Sequence, residues 1–131
     1  MDLKILEIAE DTKNYKKISN YTHSSKFKSN FCGDEIQIEL IIKKDKITNF
    51  GYNCKSCIYC QASASILSKC SLNQSLSEIR EVIELAKNYF KHEKINFPKK
   101  WNELRKIFLK KNISRKECII LPFKALSKAI D

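Results

Sequence analysis

The chain has 131 residues, 43% hydrophobic and 31% charged, with two glycines and two prolines; this is the make-up of one globular domain over residues 1–131, without long flexible linkers. No apolar run approaches the roughly 20 residues that cross a bilayer, which argues against a membrane protein. The opening MDLKILEIAED lacks the basic and apolar regions of a signal peptide, so the expected location is cytoplasmic.

In chain order, Leu3, Leu6 and Ile8 predict a short amphipathic helix over Leu3–Ile8. Residues 11–20 are polar and read as loop. Residues 21–31 are rich in Ser and Lys and weakly alternating, which suits an edge strand. The clearest strand is EIQIELIIK, Glu35 to Lys43, where Ile36, Ile38, Leu40 and Ile42 alternate with polar residues. Lys44-Asp45 is the expected hairpin turn, and Lys46 to Asn53 a second, less regular strand. The period then changes. Ala62, Ile66, Leu67 and Cys70 fall at helical spacing over Cys60–Cys70, with small Ser63, Ala64 and Ser65 permitting close approach.

Ser75 and Glu78 form a capping box at the head of a helix over Ser75–Lys94, whose apolar face is Leu76, Ile79, Val82, Ile83, Ala86 and Phe90. A further helix is expected after Pro98, with Trp101, Leu104, Ile107 and Phe108 inward. The last helix is expected near Cys118. Pro122, tolerated only in a first turn, pulls its regular start to Ile119–Leu121. Helix, antiparallel strands, then helices make an α+β domain, a small sheet of about three strands covered by helices.

The net charge of +10 invites a nucleic-acid reading. However, Arg80, Arg105 and Arg115 are the only arginines, and the lysines are spread along the chain. Planar bidentate contacts to phosphate and bases come from arginine, so nucleic acid is not the expected partner.

Six cysteines in a reducing compartment read as metal ligands, redox groups or buried apolar residues rather than a disulfide framework. Cys32 stands in a turn made possible by Gly33, Cys57 between a strand end and a helix start, and Cys118 at the lip of the last helix. Partial positive charge at a helix N-terminus stabilises a thiolate, the form that binds metal or attacks sulfur. Asp34 adds a carboxylate beside Cys32. Three sulfurs and one oxygen complete a tetrahedral site for zinc or for the irons of a cluster. Singly, each cysteine is more readily explained as core. Cys54, Cys57 and Cys60 also resemble the start of a ferredoxin CxxCxxC, but Ala64 stands where the next cysteine belongs and no Cys-Pro follows.

CGD at Cys32–Asp34, C-x4-ASAS at Cys57–Ser65 and R-x2-C-x2-LPF-x-AL at Arg115–Leu126 together resemble the U-type iron–sulfur assembly family, which includes the NifU N-terminal domain, IscU and SufU. The resemblance implies that Cys32, Asp34, Cys57 and Cys118 are the metal and sulfur ligands. It selects Cys57 because that cysteine stands five residues before Ala62, and leaves Cys54 and Cys60 as buried or semi-buried filler and Cys70 as core. The long stretch before Cys118 resembles the SufU-like branch, as do two departures from the IscU pattern. Glu117 stands where IscU-type proteins carry histidine, and an LPPVK-like motif is missing. His23 and His92 lie outside the motifs and read as surface residues.

The resemblance implies either of two mechanisms. In one, a SufS-like cysteine desulfurase passes persulfide sulfur to Cys32, Cys57 or Cys118, and a transient [2Fe-2S] cluster assembles on these and Asp34 for transfer to apo-proteins or a carrier. In the other, the four residues hold Zn2+, and one thiolate, freed by ligand exchange, accepts the sulfur in a SUF-pathway sulfurtransferase. A structural zinc domain with a nucleic-acid-binding basic surface is the third reading, and a degenerate member without metal the fourth.

Overall fold

The computed structural model describes residues 3–31, 33–91 and 95–131. Cys32, His92 and the far end of the helix expected to reach Lys94 lie outside the described residues. The elements run α1 (Leu3–Ala9), β1 (His23–Lys28), β2 (Glu35–Lys43), β3 (Lys46–Lys55), α2 (Ile58–Ser71), α3 (Leu76–Asn88) and α4 (Lys116–Ile130). Short 3-10 segments at Tyr89–Lys91, Lys99–Lys106 and Lys110–Arg115 fill the stretch between α3 and α4. The fold is α+β, an antiparallel sheet of order β1-β2-β3 with helices on one face. Among the described residues no helix is long and apolar enough to cross a membrane.

Alternation decides which sheet face is covered. Ile36, Ile38 and Leu40 stand opposite Cys54, Tyr52 and Phe50, and this row, Cys54 excepted, is buried. α2 packs on β3, and α4 on β1 and β2. β3 looked irregular in sequence because of a bulge where the register shifts between Ile41 and Ile42. Ile41 pairs with Asn49 but Ile42 with Ile47, leaving Thr48 over, so that Ile47 and Phe50 both turn inward. The Lys44-Asp45 turn has φ of 52° and 66°, the left-handed pair that a two-residue hairpin demands.

The far edge of β3 is covered by the loop after α1. Lys16 N–H donates to the Tyr52 carbonyl at 3.1 Å, and Tyr52 N–H to the Asn14 carbonyl at 3.0 Å. That loop lies against Gly51, where an added Cβ would stand 2.6 Å from the Lys16 carbonyl oxygen.

Several boundaries differ from the sequence reading. In α1 the buried residues are Ile5 and Ala9, whereas Leu3 is 76% exposed; residues four apart share a helix face, and Leu3 is out of phase with them. The capping box is formed, with Ser75 Oγ accepting the Glu78 N–H at 3.3 Å. α3 itself ends at Asn88 and tightens into the 3-10 turn Tyr89–Lys91. The helix expected after Pro98 is a 3-10 segment kinked at Trp101 (φ −107°, ψ 17°), yet all four residues expected inward are buried. Phe108 closes that region, with ring centroids of Tyr89, Phe97 and Phe123 at 5.3, 5.0 and 5.4 Å.

α4 is the main correction. It begins at Lys116, so Pro122 is not in its first turn but inside the helix. The proline cannot donate to the carbonyl of Cys118, a defect of about 3 kcal/mol in an isolated helix. Tertiary packing outweighs it here, because α4 buries ten of its residues and its carbonyls are braced by hydroxyls from neighbouring elements. Ser63 Oγ donates to the Ile119 carbonyl and Ser25 Oγ to that of Ala125, both at 2.6 Å.

Candidate metal centre

Three of the four expected ligands meet at one end of the sheet. Asp34 enters from the turn between β1 and β2. Ser29 N–H donates to the Asp34 carbonyl at 2.8 Å, and Gly33 N–H to the Ser29 carbonyl at 3.2 Å. Gly33 has φ +73°, and since a Cβ there would meet nothing, the turn needs glycine for its backbone angle and not for space. Cys57 is the N-cap residue of α2, directly after β3, and its side chain makes no capping hydrogen bond. Cys118 lies in the first turn of α4. A carboxylate oxygen of Asp34 and the Sγ atoms of Cys57 and Cys118 all lie within 4.8 Å of one another. Cys32, the fourth, lies outside the described residues.

Asp34 and Cys118 are buried and Cys57 is half-buried, so the cluster is recessed but reachable on the Cys57 side. Both cysteines sit at helix N-termini, where unpaired N–H groups favour negative charge. Asp34 Oδ2 accepts the backbone N–H of Cys57 at 3.3 Å, which ties the carboxylate to the head of α2 and leaves its second oxygen available. Donors on one tetrahedral ion at about 2.3 Å stand roughly 3.8 Å apart, and the observed spread of up to 4.8 Å is of that order. Soft thiolates with one carboxylate suit zinc or iron, so the residues present fit the group expected of them.

Cys54 and Cys60 are not brought into the cluster. Cys54 faces inward on β3, half-buried, and burial raises its thiol pKa. Cys60 is completely buried, and burial raises its pKa strongly. Cys70 was expected in the core but is only half-buried, at a cleft of about 570 Å3 between α1, α2 and the Lys99–Lys106 segment. That cleft is at the opposite end of α2 from Cys57, about 20 Å away by helix rise. His23 is partly buried on the edge strand, its Nδ1 2.8 Å from Thr22 Oγ1.

Around the centre lie contacts that sequence reasoning had not anticipated. The Arg115 guanidinium stands 5.5 Å from the centre of the Tyr59 ring, bridging the heads of α2 and α4. Phe31, on the turn that carries Asp34, is 78% exposed. Lys26, and behind it Lys28 and Lys55, hold the Glu35 carboxyl below its usual range. No local sequence pattern signals these contacts, because they join residues far apart in the chain.

Residues 2–100 match the family profile of the NifU-like N terminal domain, a stretch that contains Cys32, Asp34 and Cys57 and stops before Cys118. The chain is 28% identical over 126 residues to the iron-sulfur cluster assembly scaffold protein IscU of Thermotoga maritima, covering 96% of this chain and 89% of that one. It is 29% identical over 114 residues to an uncharacterized protein of Borreliella burgdorferi, covering 86% and 74%. Among solved structures, the N-terminal part of a nitrogen-fixing NifU-like protein from Brucella abortus has a TM-score of 0.89 at 18% identity, covering 98% of this chain and 90% of that one. A SUF-system iron-sulfur cluster assembly scaffold from Fervidobacterium islandicum has a TM-score of 0.88 at 22% identity, covering 100% and 96%. At these identities the structural likeness speaks for the fold.

Proposed function

Since the chain belongs to the NifU-like N-terminal domain family of U-type scaffolds, we propose that it is an iron–sulfur cluster assembly protein that accepts sulfur from a cysteine desulfurase and passes a transient [2Fe-2S] cluster to apo-proteins. In this reading Cys32, Asp34, Cys57 and Cys118 are the ligands, and the cluster is cargo. The observation that carries it is the meeting of Asp34, Cys57 and Cys118 donor atoms within 4.8 Å. The protein works in the cytoplasm, where thiols stay reduced.

Each residue has a task in this scheme. The thiolates are the nucleophiles for a donor persulfide and the soft ligands for iron. Asp34 is the harder and weaker ligand, which favours release over storage. Helix N-termini stabilise the anionic side chains before cargo arrives. Of the two described thiols of the centre, Cys57 is half-buried and Cys118 buried, so between them Cys57 is the one we assign to first contact with sulfur.

The spacing of the donors, close to that of ligands on a single tetrahedral ion, favours a second reading in which Zn2+ rests on the same residues and a released thiolate relays sulfur. One experiment separates the two. Protein purified without oxygen is analysed for iron, zinc and acid-labile sulfide. Iron with matching sulfide is expected of the scaffold, and about one zinc without sulfide of the relay. If neither metal is found and added metal does not bind, both readings fail.

A further inference from the structure

We infer that Cys60 is the resolving thiol for sulfur carried on Cys57: it attacks Cys57 Sγ, closes a Cys57–Cys60 disulfide and expels the outer sulfur as sulfide. This rests on the reading above, in which Cys57 takes sulfur first, and adds how persulfide sulfur becomes the sulfide that a cluster needs. The step exchanges one S–S bond for another. Cys57–S–S⁻ and Cys60–SH give the disulfide and HS⁻, the outer sulfur leaving with the bonding electron pair and the Cys60 proton. The two cysteines thus supply the two electrons, and a dithiol reductant of the cytoplasm restores them by disulfide exchange.

The sequence CIYC at Cys57–Cys60 follows a strand and opens a helix, the setting of a dithiol redox pair. Cys57 is the N-cap of α2, and the Gln61 N–H donates to its carbonyl at 3.1 Å, so the first turn closes directly on it. Across one helical turn the Cα atoms of residues three apart stand about 5 Å from each other, inside the roughly 4.4–6.8 Å that a disulfide spans. Cys54 is also three residues from Cys57, but it lies on β3, which runs to Lys55; three extended steps cover up to about 10 Å. The two thiols of the turn differ as their roles require. Cys57 is half-buried and open to a donor, whereas Cys60 is completely buried, away from donors and bulk thiols. Burial also keeps Cys60 protonated, and Cys57 is among the charges that hold it so. Ser56 Oγ is enclosed with no hydrogen-bond partner among the described residues. A hydrogen bond from it to a Cys60 thiolate offsets part of the burial, as it does for Cys54. With Cys60 as mere filler, that orphaned hydroxyl has no explanation.

The test uses the full chain with no added thiol or metal. The cysteine desulfurase of the same organism loads sulfur from L-cysteine and is then removed, after which released sulfide and peptide masses are followed. The parent is expected to release about one sulfide per loaded persulfide and to end with Cys57 and Cys60 joined. Cys60→Ala should load equally, keep the persulfide on Cys57 and release sulfide at least about tenfold more slowly, since only an intramolecular thiol is held at the reacting bond. Cys54→Ala and Cys70→Ala should behave as the parent. Dithiothreitol, a dithiol, should release the retained sulfur from Cys60→Ala, a rescue that a folding defect would not show. Cys60→Ser serves if thermal unfolding shows the alanine variant to be damaged, and the disulfide map of the parent needs no variant. A persulfide that the parent keeps as long as Cys60→Ala does, or a disulfide mapped to Cys54 or Cys118 in place of Cys60, overturns the resolving role. So does sulfur found on Cys32 or Cys118 and never on Cys57. All three results leave the assembly reading intact. If the desulfurase loads no sulfur on the parent, the assembly reading fails and the resolving step with it.

Discussion

The Asp34 carboxylate accepts the backbone N–H of Cys57 at 3.3 Å, so one ligand of the candidate centre is held by the peptide of another. One oxygen is committed to the head of α2, and metal has to share the carboxylate with that bond. Asp34→Ala removes both the hard ligand and the tether. In the scaffold reading, bound cluster outlives that of the parent, because the weakest link to iron is gone. In the zinc reading, affinity falls by about 100-fold or more, the upper end for loss of a supporting group. Cluster decay under chelator and competitive zinc titration measure the two effects. An unchanged cluster lifetime together with unchanged zinc affinity would remove Asp34 from the site.

Gly51 is fixed by a neighbour and not by its own backbone angle. The Lys16 carbonyl would lie 2.6 Å from an alanine Cβ, and backbone cannot swing aside as a side chain can. Gly51→Ala is expected to cost about 1–3 kcal/mol, seen as a lower urea midpoint at unchanged slope. Hydrogen exchange should quicken at Lys16 and Tyr52, which lose their pairing across that edge. Parent-like exchange at both would mean that the loop absorbs the methyl group.

How far the sequence could reveal this molecule depends on the range of each interaction. Period-2 alternation from Ile36 to Leu40 and the Ser75–Glu78 box are local, and they were readable. The bulge at Thr48 was visible only as irregularity, since its cause is the register of the opposing strand. The length of α4 was misread because Pro122 is judged locally as a helix breaker, whereas Ser63 and Ser25, distant in sequence, brace that helix. The site followed the same division. The resemblance carried by the three motifs pointed to Cys32, Asp34, Cys57 and Cys118, of which the described three come together, but the stacking of Arg115 on Tyr59 and the partial exposure of Cys70 depend on how helices pack.

Ser63 was noted in sequence only for its size, yet its hydroxyl donates to the Ile119 carbonyl at 2.6 Å. The bond joins α2, whose head carries Cys57, to α4 one residue beyond Cys118. Ser63→Ala is expected to lower stability by about 1 kcal/mol. It should also speed metal loss to a chelator, because the two cysteines are no longer held in register. Ser75→Ala, which removes the α3 cap at a similar cost of about 1 kcal/mol, serves as the comparison. If both variants lose metal at the same rate, the Ser63 bond acts on stability alone.

The alkaline limit of stability follows from shielded acids: burial raises Cys54 and Cys60, and with them the half-buried Cys70 and the buried Tyr52. Burial pushes Cys70 up from 9.0 to about 11 and Tyr52 from 10.0 to about 12. In both cases the folded state holds its proton more tightly than the unfolded chain does. Their contribution is complete below the unfolded values and is lost as pH rises through the folded ones, from 9.0 to about 11 for Cys70 and from 10.0 to about 12 for Tyr52. Urea unfolding midpoints should therefore fall steadily above pH 9, and Cys70→Ala should flatten the lower part of that decline. Alkylation gives an independent reading, since only the thiolate reacts. Labelling of Cys70 by iodoacetamide should rise about tenfold per pH unit until the thiol has titrated. A rate that levels off near pH 9 would mean that Cys70 is no more shielded than an ordinary surface thiol.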